Sequence, residues 1–182
     1  FETELDERRP FFSEGASFFD NRIELFNSRR IGKEPNYSIP EEGELSNIPE
    51  NTTILSALKL MGNLSNGINY GMIHAFASQE TAIWKDDGDS LKSKNIIIEP
   101  QTNYSVAKFD IPVLNEVSRV GFMGTNVSRK NATGSIVSGF DWRMGFLENR
   151  LSSNGQIMFS NKDNNLGNAY RFNIMYTDPS FW

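Results

Sequence analysis

The sequence predicts an all-β protein: an antiparallel up-and-down meander, part of a transmembrane outer-membrane β-barrel, that follows an irregular N-terminal region. Three observations predict this class. Residues 135–147 alternate bulky apolar side chains with small or charged ones. Several strand patterns have the roughly 9 to 11 residues that a tilted strand needs to cross a bilayer. Longer and shorter connections alternate along the chain, as they do in barrels with short turns at one end and long loops at the other.

The alternation is clearest in residues 135–160. Even-numbered positions carry the bulky residues Ile136, Phe140, Trp142, Met144 and Phe146. Odd-numbered positions carry Gly139, Asp141, Arg143 and Gly145. Successive side chains of a strand point to opposite faces, so one face is bulky and apolar and the other is small or charged. A polar reversal at residues 147–151 leads into a second alternating run, which predicts a β-hairpin. A half-buried strand of a soluble sandwich has the same period, and that alternative stays open.

Composition excludes several classes of protein. The 182 residues contain no cysteine, so disulfides, thiolate metal sites and a cysteine nucleophile are excluded. The net charge of -5 is dispersed along the chain, which argues against a nucleic-acid partner because that needs a clustered basic face. No apolar run approaches the roughly 20 residues of a membrane helix. We expect no cofactor.

The first 52 residues are predicted to be mostly irregular. Pro10 and Gly15 prevent a long helix in residues 1–20. Residues 22–33 form a short strand candidate, and residues 34–52 form a loop that contains three prolines. Within the strand candidate, paired arginines are suited to hold a phosphate, a carboxylate or a sugar acid, or are neutralised by the acidic residues nearby.

From residue 53 a rhythm of strands begins, and we predict a division into an N-terminal region, 1–52, and barrel strands, 53–182. The predicted strands are 53–62, 68–84, 103–114, 117–129, 135–147, 151–161 and 169–178. Their connections are, in order, short (63–67), long (85–102), very short (115–116), medium (130–134), very short (148–150) and medium (162–168). A start at Phe1 and a stop soon after a strand pattern suggest a piece of a longer barrel.

Several segments resemble a family of uncharacterised bacterial outer-membrane proteins. They are ERRPFFSEG (7–15), LFNSRRIG (25–32), PENTTILSALKLMG (49–62) and GFDWR (139–143), and the resemblance covers nearly the whole chain. Residues 6–7 are Asp-Glu where the family commonly has Phe-Pro, and Ser13 stands where leucine is usual. The motif residues of the N-terminal region are Arg8, Arg9, Pro10, Phe11, Phe12, Gly15, Arg29, Arg30 and Gly32.

The resemblance implies a location in the outer membrane of a Gram-negative bacterium and a barrel architecture. It implies no catalytic residues. Members of the family typically carry a carbohydrate-binding β-sandwich of the family-nine type before the barrel, and that sandwich is absent here. The resemblance thus suggests the lipid bilayer as a partner, together with a glycan or other envelope proteins.

The residues offer little support for catalysis or metal binding. His74 is the one histidine, and its neighbours include no nucleophile motif. Three aspartates at positions 86, 87 and 89 have oxygen ligands and a nearby glycine, but they lack the 12-residue spacing and the closing glutamate of a calcium loop. We therefore expect no metal site and no enzyme activity.

Charged residues are expected inside the barrel. A basic side chain facing lipid at the bilayer midplane costs about 2 to 4 kcal/mol, so Asp141 and Arg143 should face the lumen, joined there by Lys59 and Arg171. They would line a passage, hold a plug or neutralise one another. We expect a function in transport or in surface or glycan binding; the alternative is a soluble periplasmic β-sandwich that binds a ligand or partner.

Overall fold

The computed structural model describes residues 7–37, 43–86 and 92–177, and it is built almost entirely from β-strands. The strands are Glu44–Ser46 (β1), Ile54–Asn63 (β2), Asn69–Ala77 (β3), Glu80–Lys85 (β4), Ser93–Glu99 (β5), Thr102–Pro112 (β6), Arg119–Arg129 (β7), Ala132–Phe146 (β8), Leu151–Lys162 (β9) and Asn165–Tyr176 (β10). One short α-helix, Pro10–Ser13 (α1), and two 3₁₀ turns, Ala16–Phe18 and Ser28–Arg30, precede them. Across the described ranges, no helix has the length and apolar character to cross a membrane.

The strands form two antiparallel sheets, which confirms the all-β, mostly meandering class. The larger sheet has the order β10-β9-β8-β7-β6-β3-β2, and the smaller has the order β1-β4-β5. Consecutive strands of the larger sheet are neighbours except between β3 and β6, where the chain leaves to build the smaller sheet. No closed barrel is found among the described strands, since β2 and β10 are the two edges of the larger sheet.

In two regions the strands of the structure differ from the predicted strands. The pattern at residues 68–84 is two strands, because β3 pairs with β6 whereas β4 turns away at Ser78 and Gln79 to pair with β5. Strands β1 and β5 lie within regions predicted to be loops, and each is stabilised by pairing with β4. The proposed division of the chain after residue 52 stays a prediction.

Loop lengths do alternate in the second half of the sheet, but the end predicted to carry the longer loops carries the shorter ones. Only Lys130 and Asn131 separate β7 from β8, and only Asp163 and Asn164 separate β9 from β10. The last two have φ of 55° and 58°, the left-handed conformation that tight hairpin turns require and that Asp and Asn tolerate. The strand pattern therefore continues into the turns, and these connections are shorter than those at the opposite end of the sheet.

The N-terminal segment, residues 7–37, packs against one face of the larger sheet, which we call the inner face. Residues 22–33, predicted as a strand, form none, because their backbone groups bond to side chains and within a 3₁₀ turn rather than to a neighbouring strand. The Ile23 N–H donates to the Gln156 side chain at 2.9 Å, and the Ser28 carbonyl accepts from the Arg9 side chain at 2.9 Å. The segment is thus an irregular cover held by specific contacts.

Small side chains on the inner face make room for the aromatic residues of this segment. Ala75 and Ala77 of β3 are fully buried. On the same strand, a β-carbon on Gly71 would lie 2.7 Å from the Phe18 ring and 2.8 Å from the Phe19 ring. The core formed here joins the N-terminal segment to strands β3, β6 and β7. It consists of Phe12, Phe19, Leu25, Ile31, Ile73, Ala75, Ala77, Tyr104, Val106 and Met123.

The opposite, outer face of the larger sheet carries exposed aromatic and aliphatic side chains. Six side chains of this face are consecutive cross-strand neighbours from β3 to β10. We call them the aromatic row: Tyr70, Phe109, Phe122, Phe140, Ile157 and Tyr170. Tyr70 and Phe140 are half-buried, and the other four are exposed. Phe122 is 47% exposed and Tyr170 is 80% exposed. The bulky side chains at even-numbered positions of β8, predicted to share one face, lie on this outer face.

Candidate functional site

A row of polar residues crosses the inner face near one end of the larger sheet. From β3 to β10 the cross-strand neighbours are Asn69, Asp110, Gly121, Asp141, Gln156 and Arg171, which we call the polar row. Two residues further along β8, Arg143 lies between its cross-strand neighbours, Arg119 of β7 and Asn154 of β9. Strand pairing therefore gathers acidic, basic and amide groups in one place.

The N-terminal segment lies over these groups and encloses a polar cavity of about 350 Å³. Asp20, Asn21 and Arg22 form its cover, and strands β6 to β9 form its floor. Two contacts hold the cover in place. The Lys108 ammonium donates to the Asp20 carbonyl at 2.9 Å and to the Asn21 side-chain oxygen at 2.5 Å.

Gln156 supplies the second contact, and its side chain is 2% exposed. Its oxygen accepts from the Ile23 N–H at 2.9 Å, and its amide donates to the Ile23 carbonyl at 3.1 Å. One side chain thus satisfies both backbone groups of Ile23, the residue that follows the cover, as a strand neighbour would.

Arg119 and Asp110 form an ion pair at one wall of the polar cavity. Their side-chain atoms Nε and Oδ1 lie 2.8 Å apart, and both side chains are largely buried. The Arg119 guanidinium also donates to the Gly67 carbonyl at 3.0 Å, in the connection between β2 and β3. The Arg119 guanidinium therefore already bonds to groups of the protein itself.

Other polar groups of the cavity lack partners within the described part of the chain. The buried atoms without a hydrogen bond are Asn21 Nδ2, Asp141 Oδ2 and Asn154 Oδ1. The Asp141 carboxylate lies over Gly121, where a β-carbon would come within 2.7 Å of Asp141 Cγ. Leaving a buried polar atom unpaired costs about 1 to 3 kcal/mol, so a ligand that pairs with these groups would recover that free energy.

The structure brings together three of the four predicted lumen charges. Asp141 and Arg171 both lie opposite Gln156, and Arg143 lies one register step away on the same inner face. Lys59 is also on this face but sits apart, on edge strand β2, where it donates to the carbonyls of Phe11 and, at 2.7 Å, Glu14. Lys59 therefore holds the N-terminal segment and does not line the polar cavity.

Sequence reasoning missed most of the cavity. Lys108 and Asp110 are alternate residues of β6 and point to the same face as the buried Tyr104 and Val106. The alternation along that strand could therefore have predicted that they face inward. The contribution of residues 20–22 had no such signal, because they approach from an irregular segment distant in sequence.

The two predicted N-terminal motifs meet in space through Arg9. Its guanidinium donates to the Ile31 carbonyl at 2.6 Å and the Ser28 carbonyl at 2.9 Å, and it stacks 4.4 Å from the centroid of the Phe12 ring. Pro10 begins α1, Phe11 packs edge-on against Phe12, and Gly15 and Gly32 adopt φ of 65° and 74°. The shared residues of the two motifs thus build one folded unit.

Glu7 completes the unit. Its carboxylate accepts from the Arg9 guanidinium at 2.7 Å and from the Ser28 hydroxyl at 2.7 Å. The hydrogen bonds from Arg9 are the main reason why the pKa of Glu7 falls from 4.5 to about 2, with a further contribution from Ser28. Beside it, Arg8 and Arg29 line an open groove of about 720 Å³ that also contains Glu34.

The remaining candidates among the described residues lie outside the polar cavity. His74 lies on the outer face, where its Nδ1 is 3.0 Å from the Ser105 hydroxyl. Within the described ranges no three His, Cys, Asp or Glu side chains are grouped to hold a metal ion. Of the three aspartates considered as a calcium loop, positions 87 and 89 lie outside the described residues.

Comparison with known proteins gives one result. No curated protein and no solved structure matches the chain. The model of a protein family described as a domain of unknown function (DUF5916) matches residues 1–180. This match covers almost the entire chain and agrees with the predicted membership of an uncharacterised family. The chain belongs to the family of the domain of unknown function DUF5916.

Proposed function

We propose that the larger sheet is part of the wall of a β-barrel in the outer membrane of a Gram-negative bacterium. In this proposal the outer face meets lipid and the N-terminal segment lies on the lumenal side. The observation that carries the proposal is the aromatic row, which crosses six strands on the outer face and has four exposed and two half-buried side chains.

An exposed apolar surface of this extent needs a nonpolar neighbour. Soluble monomers rarely expose large continuous apolar patches. Outside the aromatic row the same face carries Leu58, 68% exposed, Phe172, 60% exposed, and Ile174, 58% exposed. Lipid is a suitable neighbour because barrel strands alternate apolar residues toward lipid with polar residues toward the lumen.

Strand length supports the same assignment. A tilted strand crosses the hydrocarbon core with about 9 to 11 residues. Strands β6 and β7 have 11 residues each, and β9 and β10 have 12. The strands at both edges of the sheet need partners in lipid, because unpaired backbone groups are not tolerated there. The wall that we propose therefore requires further strands beside β2 and β10.

The role that we propose is passage or binding of small polar solutes, without catalysis. The polar cavity on the lumenal side, which contains ionised and amide groups, supports this role. On the family resemblance alone we also propose a glycan or another envelope protein as a binding partner.

The natural tryptophans provide a test. The chain has three, and Trp142 lies on the outer face, stacked on Phe140 with ring centroids 5.9 Å apart. Variants that keep only Trp142, or only Trp84 of the smaller sheet, are reconstituted in vesicles with lipids brominated along their acyl chains. We expect strong quenching of Trp142 fluorescence by the bromine atoms and weak quenching of Trp84.

The opposite result would support the alternative function. If Trp142 is quenched by acrylamide in water and not by brominated lipid, the protein is better described as a soluble periplasmic β-sandwich that binds a ligand or partner. A second measurement uses gel mobility with and without boiling. A shift for protein taken from outer membranes indicates a closed barrel, and its absence there argues against one.

A further inference from the structure

We infer that the polar cavity is a binding site for a small carboxylate that carries several hydroxyl groups. This inference deepens the proposed role in solute binding, but it rests on the cavity and not on membrane location. The site lies between the N-terminal segment and strands β6 to β9.

Two guanidinium groups are available for the carboxylate. Arg22 of the cover and Arg143 of the floor both line the cavity. Arg143 interacts electrostatically with the Asp141 carboxylate, but neither arginine side chain has a hydrogen bond or a close ion pair with another described residue. Arg119, in contrast, is occupied by Asp110 and two backbone carbonyls. Arginine binds carboxylates through two parallel hydrogen bonds, which makes a free guanidinium a selective anchor for such a group.

The acceptors of the cavity need donors from the ligand. Asp141 and Asn154 each retain a buried oxygen without a hydrogen bond. Ammonium and hydroxyl groups are the two common donors that a small ligand offers. The charged residues of the cavity decide between them, because four basic side chains face three acidic ones: Arg22, Lys108, Arg119 and Arg143 against Asp20, Asp110 and Asp141. This excess disfavours a further cation and favours neutral hydroxyl groups.

Size agrees with the same class of ligand. Pockets for small molecules typically measure about 300 to 1,000 Å³. A cavity of about 350 Å³ is near the lower limit and suits a ligand of few carbon atoms. The cavity wall is predominantly polar, so a purely aliphatic acid would leave the groups on Asp141 and Asn154 unpaired.

The experiment compares three probes of six carbon atoms by isothermal titration calorimetry of the full chain in detergent. Gluconate has a carboxylate and hydroxyl groups, hexanoate has only the carboxylate, and sorbitol has only hydroxyl groups. We expect gluconate to bind at least about 10-fold more tightly than either of the others, since each group removed forfeits hydrogen bonds to charged or buried partners.

Two variants test which residues bind the carboxylate and which bind the hydroxyl groups of the ligand. We expect Arg143→Gln to weaken gluconate and hexanoate alike by about 10-fold or more, and Asn154→Leu to weaken gluconate alone. The matched control is Arg8→Gln, which removes an arginine from the groove outside the cavity and should leave binding unchanged. Circular dichroism of each variant verifies that the β-structure is retained.

Three results would overturn the inference. They are equal affinity for gluconate and hexanoate, equal affinity for gluconate and sorbitol, and gluconate affinity that falls with Arg8→Gln but not with Arg143→Gln. The last would place anion binding in the groove. None of these measurements depends on bilayer insertion, so a failure here is distinct from a failure of the fluorescence experiment on Trp142.

Discussion

Gly121 determines where the Asp141 carboxylate lies. These two residues are neighbours on β7 and β8, and a β-carbon at position 121 would overlap the carboxylate. We predict that Gly121→Ala destabilises the protein by about 1 to 3 kcal/mol, the usual cost of overpacking. The measurement is the urea midpoint in detergent. Gly124→Ala is the control, because its β-carbon would meet nothing within 4 Å.

A double-mutant cycle isolates the cause of this effect. In the Asp141→Ala background the carboxylate is gone, so most of the penalty for Gly121→Ala should disappear. A penalty of the same size in both backgrounds would show that the alanine disturbs something other than Asp141.

The carboxylate of Glu7 makes the stability of the N-terminal segment dependent on pH. Its pKa is lowered from 4.5 to about 2 by the hydrogen bonds from Arg9, so the folded state favours the ionised form. The stabilisation is complete above pH 4.5 and is lost as the pH falls toward 2. We predict that Glu7→Gln lowers the free energy of unfolding at pH 7 and that its difference from the parent protein shrinks across this window.

The control for this prediction is Glu24→Gln, which removes a carboxylate that is exposed in the same segment. It changes the net charge equally and should give a much smaller difference at pH 7. A difference for Glu7→Gln that stays constant from pH 7 to pH 2 would contradict the assignment.

At the scale of elements, the N-terminal segment is attached to the larger sheet through a few polar anchors and a shared apolar core. Gln156 is the anchor that serves both backbone groups of Ile23. We predict that Gln156→Met, which is similar in volume, leaves these groups unpaired at a cost of about 1 to 3 kcal/mol. Local opening should then speed tryptic cleavage after Arg22 by about 5- to 150-fold.

Gln79→Met provides the matched control, because this glutamine is exposed in the connection between β3 and β4. Its rate of cleavage after Arg22 should equal that of the parent protein. If Gln156→Met has the same rate too, the anchor contributes nothing to retention of the segment.

The sequence pattern predicted a strand correctly where the residues of that strand alone determine it. The alternation from Ile136 to Phe146 identified both faces of β8 correctly, because side-chain direction depends only on the strand itself. Strands β1 and β5 escaped prediction because their stability comes from pairing with β4, which no local pattern reveals. The polar cavity was predicted only in part for the same reason. Asp20 reaches Lys108 across 88 positions of sequence.

At the scale of the whole molecule, the two faces of the larger sheet should respond oppositely to charge. Phe172 points outward and Asn173 inward on the same strand, β10. If lipid covers the outer face, Phe172→Lys costs up to about 2 to 4 kcal/mol near the bilayer midplane, whereas Asn173→Lys costs little. We predict that Phe172→Lys sharply reduces the fraction of protein in urea-washed outer membranes and that Asn173→Lys leaves it near the parent value.

Equal membrane fractions for both variants would argue against lipid contact at β10. An increase in water-soluble, monomeric protein for Phe172→Lys alone would instead indicate that the outer face packs against another protein.

The bond between Gln156 and Ile23 also has a consequence for the order of assembly, because it joins positions 133 residues apart. The N-terminal segment is synthesised before β9, so it finds its complete binding surface only after β9 has been synthesised and paired. Native contacts of such large sequence separation slow folding, since the entropy of loop closure is lost before the contacts form. Until then its phenylalanines stay available to chaperones, and the segment settles on the sheet late in folding.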